Sequence, residues 1–163
     1  MLGVDVGTVR IGIAVSDPDG SIAVPVTTVR RGRRDLEQIA VLATERGVAG
    51  LVVGLPLTLS GQEGPAARAS RDFATGLARQ VAPTPVRLVD ERLTTAGASR
   101  GLRDAGVGAR QARHVVDQVA AAAILQGALD MQRATGRPVG ELVPVPPASQ
   151  QRAGDHDEET RTS

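Results

Sequence analysis

Three stretches of this 163-residue chain hold a carboxylate among apolar or small neighbours. Asp5 lies in Gly3-Val4-Asp5-Val6-Gly7-Thr8. Asp90 and Glu91 close the run Val86-Arg87-Leu88-Val89-Asp90-Glu91, and Asp117 sits in Val115-Val116-Asp117-Gln118-Val119-Ala120-Ala121. Burying a lone carboxylate costs on the order of several kcal/mol unless it is paired or holds a metal. Three that converge, in a chain without lysine, need neutralising, and a hard divalent cation held by oxygen ligands does this. Carboxylates sharing two Mg²⁺ or Mn²⁺ ions about 4 Å apart are the apparatus of in-line phosphodiester hydrolysis. One ion activates water and the other stabilises the leaving oxygen.

The elements that would carry these acids can be read from periodicity. Leu2–Val6 reads as a strand with Leu2, Val4 and Val6 on one face and Gly3 and Asp5 on the other. Ile11–Val15 repeats the pattern, bulky Ile11, Ile13 and Val15 against small Gly12 and Ala14, and Gly7 to Arg10 joins the two as a hairpin. Val86–Val89 reads as a buried strand, which puts Asp90 and Glu91 at its C-terminal end, where open α/β sheets place their sites. Because faces alternate, the two acids point apart, and at least one is a helix-entry or surface acid. On a helix, Asp117 neighbours Ala120, Ala121 and Ile124, with Ala128 further along. An exposed edge position is the plain alternative for such an acid. The alanines otherwise let that helix settle on the Gly3/Gly12/Ala14 surface, which brings Asp117 towards Asp5.

Ile22–Val26 and Leu51–Val53 read as two further strands, the latter parallel to Val86–Val89 and buried on both faces. Asp35–Arg46 has helical spacing, with Leu36, Ile39, Ala40 and Ala43 on one stripe. Ser60 to Glu63 has the form of a capping box opening a helix from Pro65 to Gln80. A short helix from Thr94 or Thr95 to Asp104, broken by Gly106 and Gly108, precedes a last one from Arg113 to Arg133. The order predicts an α/β fold: a mixed five-stranded sheet, three antiparallel strands and then parallel ones, flanked by helices. Val139–Val145 reads as an extended segment. Pro146 to Ser163 reads as a disordered tail, leaving one domain over 1–145.

Composition narrows the partners. No transmembrane-length run or basic-apolar leader is present, so the expectation is a soluble cytoplasmic protein. The lack of cysteine excludes disulfides and thiolate zinc sites. Up to Ser149 there are 17 arginines against 14 acids, a mildly basic body compatible with a polyanion. Phe73 is the single aromatic residue, so contact with nucleic acid must run through phosphates and shape, not stacked aromatic rings. Arg10, Arg92, Arg110 and Arg113 flank the acids in sequence and are placed to hold phosphates. The stretch 100–113, with Arg100, Arg103 and three glycines, reads as a mobile basic loop that engages substrate. Arg30-Arg31-Gly32-Arg33-Arg34 reads as a solvated turn. Gly54 to Gly64, between strand and helix, either binds phosphate at a helix N-terminus or simply connects the two.

The segments around Gly3–Gly12, Val53-Gly54-Leu55-Pro56-Leu57 with Gly61 and Gly64, Asp90–Thr95, and Asp117–Leu125 resemble the YqgF/RuvX family, over residues 2 to 145. The resemblance implies a ribonuclease-H-like fold. It also implies a nuclease that matures the 5′ end of pre-16S ribosomal RNA or resolves Holliday junctions. It marks Asp5, Glu91 and Asp117 as catalytic acids binding Mg²⁺ or Mn²⁺, which favours Glu91 over Asp90. Related junction resolvases carry another ligand one helical turn before Asp117, here His114, which otherwise reads as a partly exposed helix-start histidine. The partner implied is structured RNA or branched DNA; junction resolution needs two active sites and hence a homodimer. Two other classes share features. Asp5-Val6-Gly7-Thr8 before a hairpin also suits an actin-like ATPase, which needs two such domains, and the fold could serve as a non-catalytic RNA-binding module.

Overall fold

The computed structural model describes residues 1–94 and 110–146, with backbone alone for 110–113. Among the described residues six strands form one sheet in the order β3-β2-β1-β4-β5-β6. They are β1 (Leu2–Val6), β2 (Arg10–Ser16), β3 (Ala23–Arg30), β4 (Leu51–Leu55), β5 (Val86–Asp90) and β6 (Glu141–Leu142). The first three meander antiparallel, and β1, β4 and β5 run parallel to one another. The predicted extended segment after Gly136 supplies the sixth strand, a two-residue β6 antiparallel to β5.

Among the described residues three α-helices cover the sheet. On one face α1 (Asp35–Glu45) and α2 (Pro65–Val81) bury Ile39, Ala43, Phe73 and Leu77 against Leu2, Val4, Ile11, Ile13, Val53 and Leu88. On the other lies α3 (Arg110–Thr135), whose Ala121, Ile124, Leu125 and Ala128 pack on Ala14, Val52 and Val89. All five residues of β1 and of β4 are buried, as expected for strands covered on both sides. The alternation in β1 therefore sends Asp5 to the α3 face. None of the helices among the described residues is long and apolar enough to cross a membrane.

Three expectations change. The last helix begins at Arg110, not at the predicted Arg113, inside the stretch 100–113 read as a loop, since no glycine or proline stands between Gly108 and Gly127 to stop it. The third strand starts and ends later than the predicted Ile22–Val26, because Val26-Thr27-Thr28-Val29 is a β-branched run that keeps pairing with β2. Pro25 is tolerated there since β3 is the sheet's edge. The capping box does not form. Gly61 has φ +85°, a left-handed conformation that breaks any helix entering at Ser60, so the chain closes a separate turn. The helix begins at Pro65, as the sequence predicts, but it is preceded by Gly64 with no side-chain cap, and Glu63 accepts a hydrogen bond from Arg71 Nε at 2.8 Å. The expected short helix ending at Asp104 and the tail from 147 onwards lie outside the described residues.

Candidate active site

Asp5 is the next-to-last residue of β1 and is 1 % exposed. Its antiparallel partner on β2 is Gly12, whose own partner on β3 is Thr28. Continuing the β1–β4 register one residue past Val4–Val53 sets Gly54 beside Asp5 on the other side. Gly54 in turn pairs with Val89. Directly paired residues share a face, so Thr28, Gly12, Asp5, Gly54 and Val89 form one row under α3.

The two glycines explain how the other acids reach Asp5. A Cβ on Gly12 would collide with the backbone carbonyl of Asp117, standing 2.6 Å from its carbon. A Cβ on Gly3 would stand 2.7 Å from Leu125 Cβ. Helix α3 thus rests its backbone on the sheet, and Asp117, 2 % exposed, is carried down beside Asp5's row. A Cβ on Gly54 would meet Glu91 Oε1, and Ile124 Cδ1 at 2.5 Å. The Glu91 carboxylate occupies that space; this residue opens the 3₁₀ turn Glu91–Leu93 and is 4 % exposed. Adjacent strands lie about 4.8 Å apart. Along that row, Asp117's backbone stands over Gly12 and the Glu91 carboxylate over Gly54, with Asp5 on the strand between them.

Asp90 goes elsewhere. Its carboxylate accepts from the Arg92 backbone N–H at 2.9 Å and from Arg92 Nη2 at 2.7 Å. Those bonds hold its carboxyl below the usual value. Arg92, expected on substrate phosphates, is thereby folded back on Asp90, and its Nη1 donates to the Leu59 carbonyl at 3.4 Å. Arg10 also has a protein partner: its Nε donates to Asp117 Oδ2 at 3.0 Å. His114 Nδ1 shares a 2.9 Å hydrogen bond with the Thr28 hydroxyl, so its ring sits two strands from Asp5 on the same row. Arg100 and Arg103 lie outside the described residues, as do the side chains of Arg110 and Arg113.

Part of the basic turn is not solvated. Arg31 Nη1 donates to the Gly7 carbonyl at 3.1 Å and its guanidinium lies 5.3 Å from the centre of the Phe73 ring. Its Nε stands 3.3 Å from Asp35 Oδ2. The pairings of Arg10, Arg31 and Arg92 were missed in the sequence. The Asp90-x-Arg92 spacing and the i,i+4 spacing of Arg31 and Asp35 are the local hints; nothing in the sequence joins Arg10 to Asp117.

Among the described residues no three His, Asp or Glu side chains gather as a ready-made ligand set for one ion. The Arg10 guanidinium supplies part of the neutralising charge that the sequence reading assigned to a cation. In kind, however, the donors suit a hard divalent metal: buried carboxylate oxygens, one of them held in a cradle that any side chain at position 54 would fill.

The comparisons with known proteins agree on class. The solved chain of Thermus thermophilus RuvC in complex with a Holliday junction substrate superposes with a TM-score of 0.56 at 16 % identity, over 85 % of this chain and all of that one. The fold is ribonuclease-H-like. The family described as "RuvX: Holliday junction resolvase" matches residues 1–131. A "Putative pre-16S rRNA nuclease" of Mycolicibacterium paratuberculosis is 56 % identical over 142 residues, 86 % of this chain and 85 % of the relative. One of the same name from Thermobifida fusca is 54 % identical over 149 residues, 87 % of this chain and 94 % of the relative. The chain belongs to the RuvX family and is a nuclease.

Proposed function

We propose that this nuclease is a divalent-cation-dependent endonuclease cutting structured RNA, with 5′-end processing of pre-16S ribosomal RNA in the cytoplasm as its reaction. Asp5, Glu91 and Asp117 carry the chemistry. The single observation behind this is the Gly12–Asp5–Gly54 row, in which missing side chains make room for Asp117's backbone on one side and Glu91's carboxylate on the other.

Oxygens of Asp5, Glu91 and Asp117 would hold Mg²⁺ or Mn²⁺, whose Lewis acidity supplies an activated water and stabilises the leaving oxygen. The chain's own contribution is preorganisation. The glycine cradle fixes Glu91, and α3 fixes Asp117, before substrate arrives. Arg10 orients Asp117 and offers a cation at the hairpin end of the site, where a phosphate flanking the scissile one would lie. His114, oriented by Thr28, stands one helical turn ahead of Asp117; in the tautomer whose Nδ1–H donates to the Thr28 hydroxyl, its Nε2 is left as the ligating or proton-accepting atom. Arg100, Arg103, Arg110 and Arg113 are assigned to backbone phosphates on their place in the sequence.

The test is cleavage of a pre-16S RNA leader and a four-way DNA junction side by side, with Mg²⁺ and with Mn²⁺. Wild type should cut the RNA, and Asp5→Asn should lose at least about 100-fold with unchanged circular dichroism. Cleavage retained when all three acids are alanine would overturn the reading. The family's description favours a second reading, junction resolution. It demands paired active sites, so junction cutting together with a dimeric mass in solution would select it over RNA processing.

A further inference from the structure

Arg30 opens a basic run that reads as a solvated turn, but the sheet gives it a particular neighbour. It is the last residue of β3 and is paired across the strands with Arg10 on β2. Directly paired residues share a face, so both arginines stand on the α3 side, where Arg10 meets Asp117. Strands β1 and β3 both run antiparallel to β2, and β4 and β5 run parallel to β1. Arg30 therefore lies at the edge of the sheet that carries Asp5 and Glu91. From strand spacing and rise, the Cα atoms of Arg10 and Arg30 lie about 8 Å and about 12 Å from that of Asp5.

Like charges directly opposite one another on neighbouring strands destabilise a sheet. Fraying of the strand end would relieve the repulsion, and the fold prevents it. The Arg31 N–H donates to the Val9 carbonyl at 2.9 Å and Arg31 Nη1 to the Gly7 carbonyl at 3.1 Å. The same guanidinium is held by Asp35 and by the Phe73 ring. The end of β3 is thereby tied to the β1–β2 hairpin, and the two arginines are kept side by side.

Asp117 offsets only one of the two charges. Arg30 is exposed and has no hydrogen bond or ion pair among the described residues. Arg10 uses Nε alone on Asp117, and its side chain remains 18 % exposed, so Nη1 and Nη2 are left for a ligand. The anion a nuclease brings to this edge is a phosphodiester, whose two unbridged oxygens accept from two guanidinium groups at once. Resting on the assignment of Asp5, Glu91 and Asp117 above, we infer that Arg10 and Arg30 form a clamp for one backbone phosphate of the substrate, on the β3 side of the acids. The clamp positions the strand and reads no base.

The experiment uses the full chain carrying Asp5→Asn, so that the probe is not cut. The probe is a fluorescein-labelled pre-16S RNA leader, and affinity is read by anisotropy across a salt series. Arg30→Gln should weaken binding about tenfold and make the slope of log affinity against log salt shallower by about 1. Arg33→Gln, which changes an exposed arginine of the turn that follows, should alter affinity less than about twofold. On an Arg10→Gln background, Arg30→Gln should cost less than about twofold, because one phosphate is no longer shared. Without RNA, Arg30→Gln should raise the thermal midpoint by about 1–3 °C, since the opposed charges are gone. With Asp5 present, it should raise KM about tenfold at unchanged kcat. Unchanged affinity and slope in Arg30→Gln overturn the clamp, as does a loss that Arg33→Gln equals. Losses that simply multiply in the double variant overturn a shared phosphate, and a lowered midpoint would make Arg30 structural. If the chain with Asp5 intact cuts neither RNA nor DNA, the catalytic assignment falls; a tenfold loss of binding confined to Arg30→Gln would then still support the clamp as a binding device.

Discussion

At the scale of single residues, two glycines hold the site open and should fail differently. A methyl on Gly12 meets main chain, the Asp117 carbonyl, which cannot swing away. Gly12→Ala should therefore lift α3 and cost about 1–3 kcal/mol, read as a lower urea midpoint. A methyl on Gly54 meets the end of a flexible Glu91 side chain and one Ile124 methyl. Gly54→Ala should keep most of its stability and lose cleavage as Glu91 is expelled. Equal stability losses for the two would contradict the cradle. Arg10, partly exposed, is the charge partner of the buried Asp117, so Arg10→Gln, which leaves that carboxylate without its cation, should destabilise by about 1–3 kcal/mol in EDTA. Added Mg²⁺ should recover part of that loss in thermal melts, because a cation can replace the guanidinium's charge. Asp90 gives a pH signature. Its folded carboxyl titrates below the ordinary 3.8, so its contribution is complete above that value and is lost as pH falls through the lower one. The acid-side fall in stability should be shallower in Asp90→Asn.

At the scale of elements, α3 does most to assemble the site. Its alanines at 120, 121 and 128 let the helix backbone lie on Gly3 and Gly12, and a longer side chain would hold it off. Gln126 sets where the helix lies along the sheet: its Oε1 accepts from the Ala23 N–H at 2.9 Å and its Nε2 donates to the Ser21 carbonyl at 3.0 Å. Gln126→Ala should cost about 1–2 kcal/mol and loosen the β2–β3 turn, seen as faster amide exchange at Ala23. On the other face α2 is tied to β6 by Arg71, which forks onto both Glu141 oxygens at 3.0 Å and reaches Glu63. That fork docks the segment after α3 onto the sheet and so supplies β6.

At the scale of the whole molecule, one face of the sheet is a conventional hydrophobic core and the other is where chemistry is possible. The division follows from period-two alternation in β1 and β4, each buried throughout but carrying small or acidic residues on the α3 side only. Substrate affinity at this scale is electrostatic. If Arg100, Arg103, Arg110 and Arg113 each neutralise a phosphate, log affinity for single-stranded RNA should fall with log salt at a slope of about −3. Replacing all four by glutamine should flatten that line. A slope that does not change would move the phosphate contacts elsewhere.

Much was decided by local pattern. The strands, the small-residue face of the hairpin and the apolar stripe bearing Asp117 are all periodicities of two or 3.6, which a linear chain displays directly. The family motifs added the preference for Glu91 over Asp90, and alternation alone could not have chosen. Tertiary structure decided what depends on residues far apart in the chain meeting. It put Gly54 beside Asp5, paired Arg10 with Asp117 across 107 positions, and drew Arg92 back onto Asp90 under Leu59. It also replaced a capping box by a closed turn, because a positive φ at Gly61 is compatible with one and not with the other. Spacing along a chain reports which face a side chain takes, whereas charge pairing and close approach are properties of the folded surface that faces it.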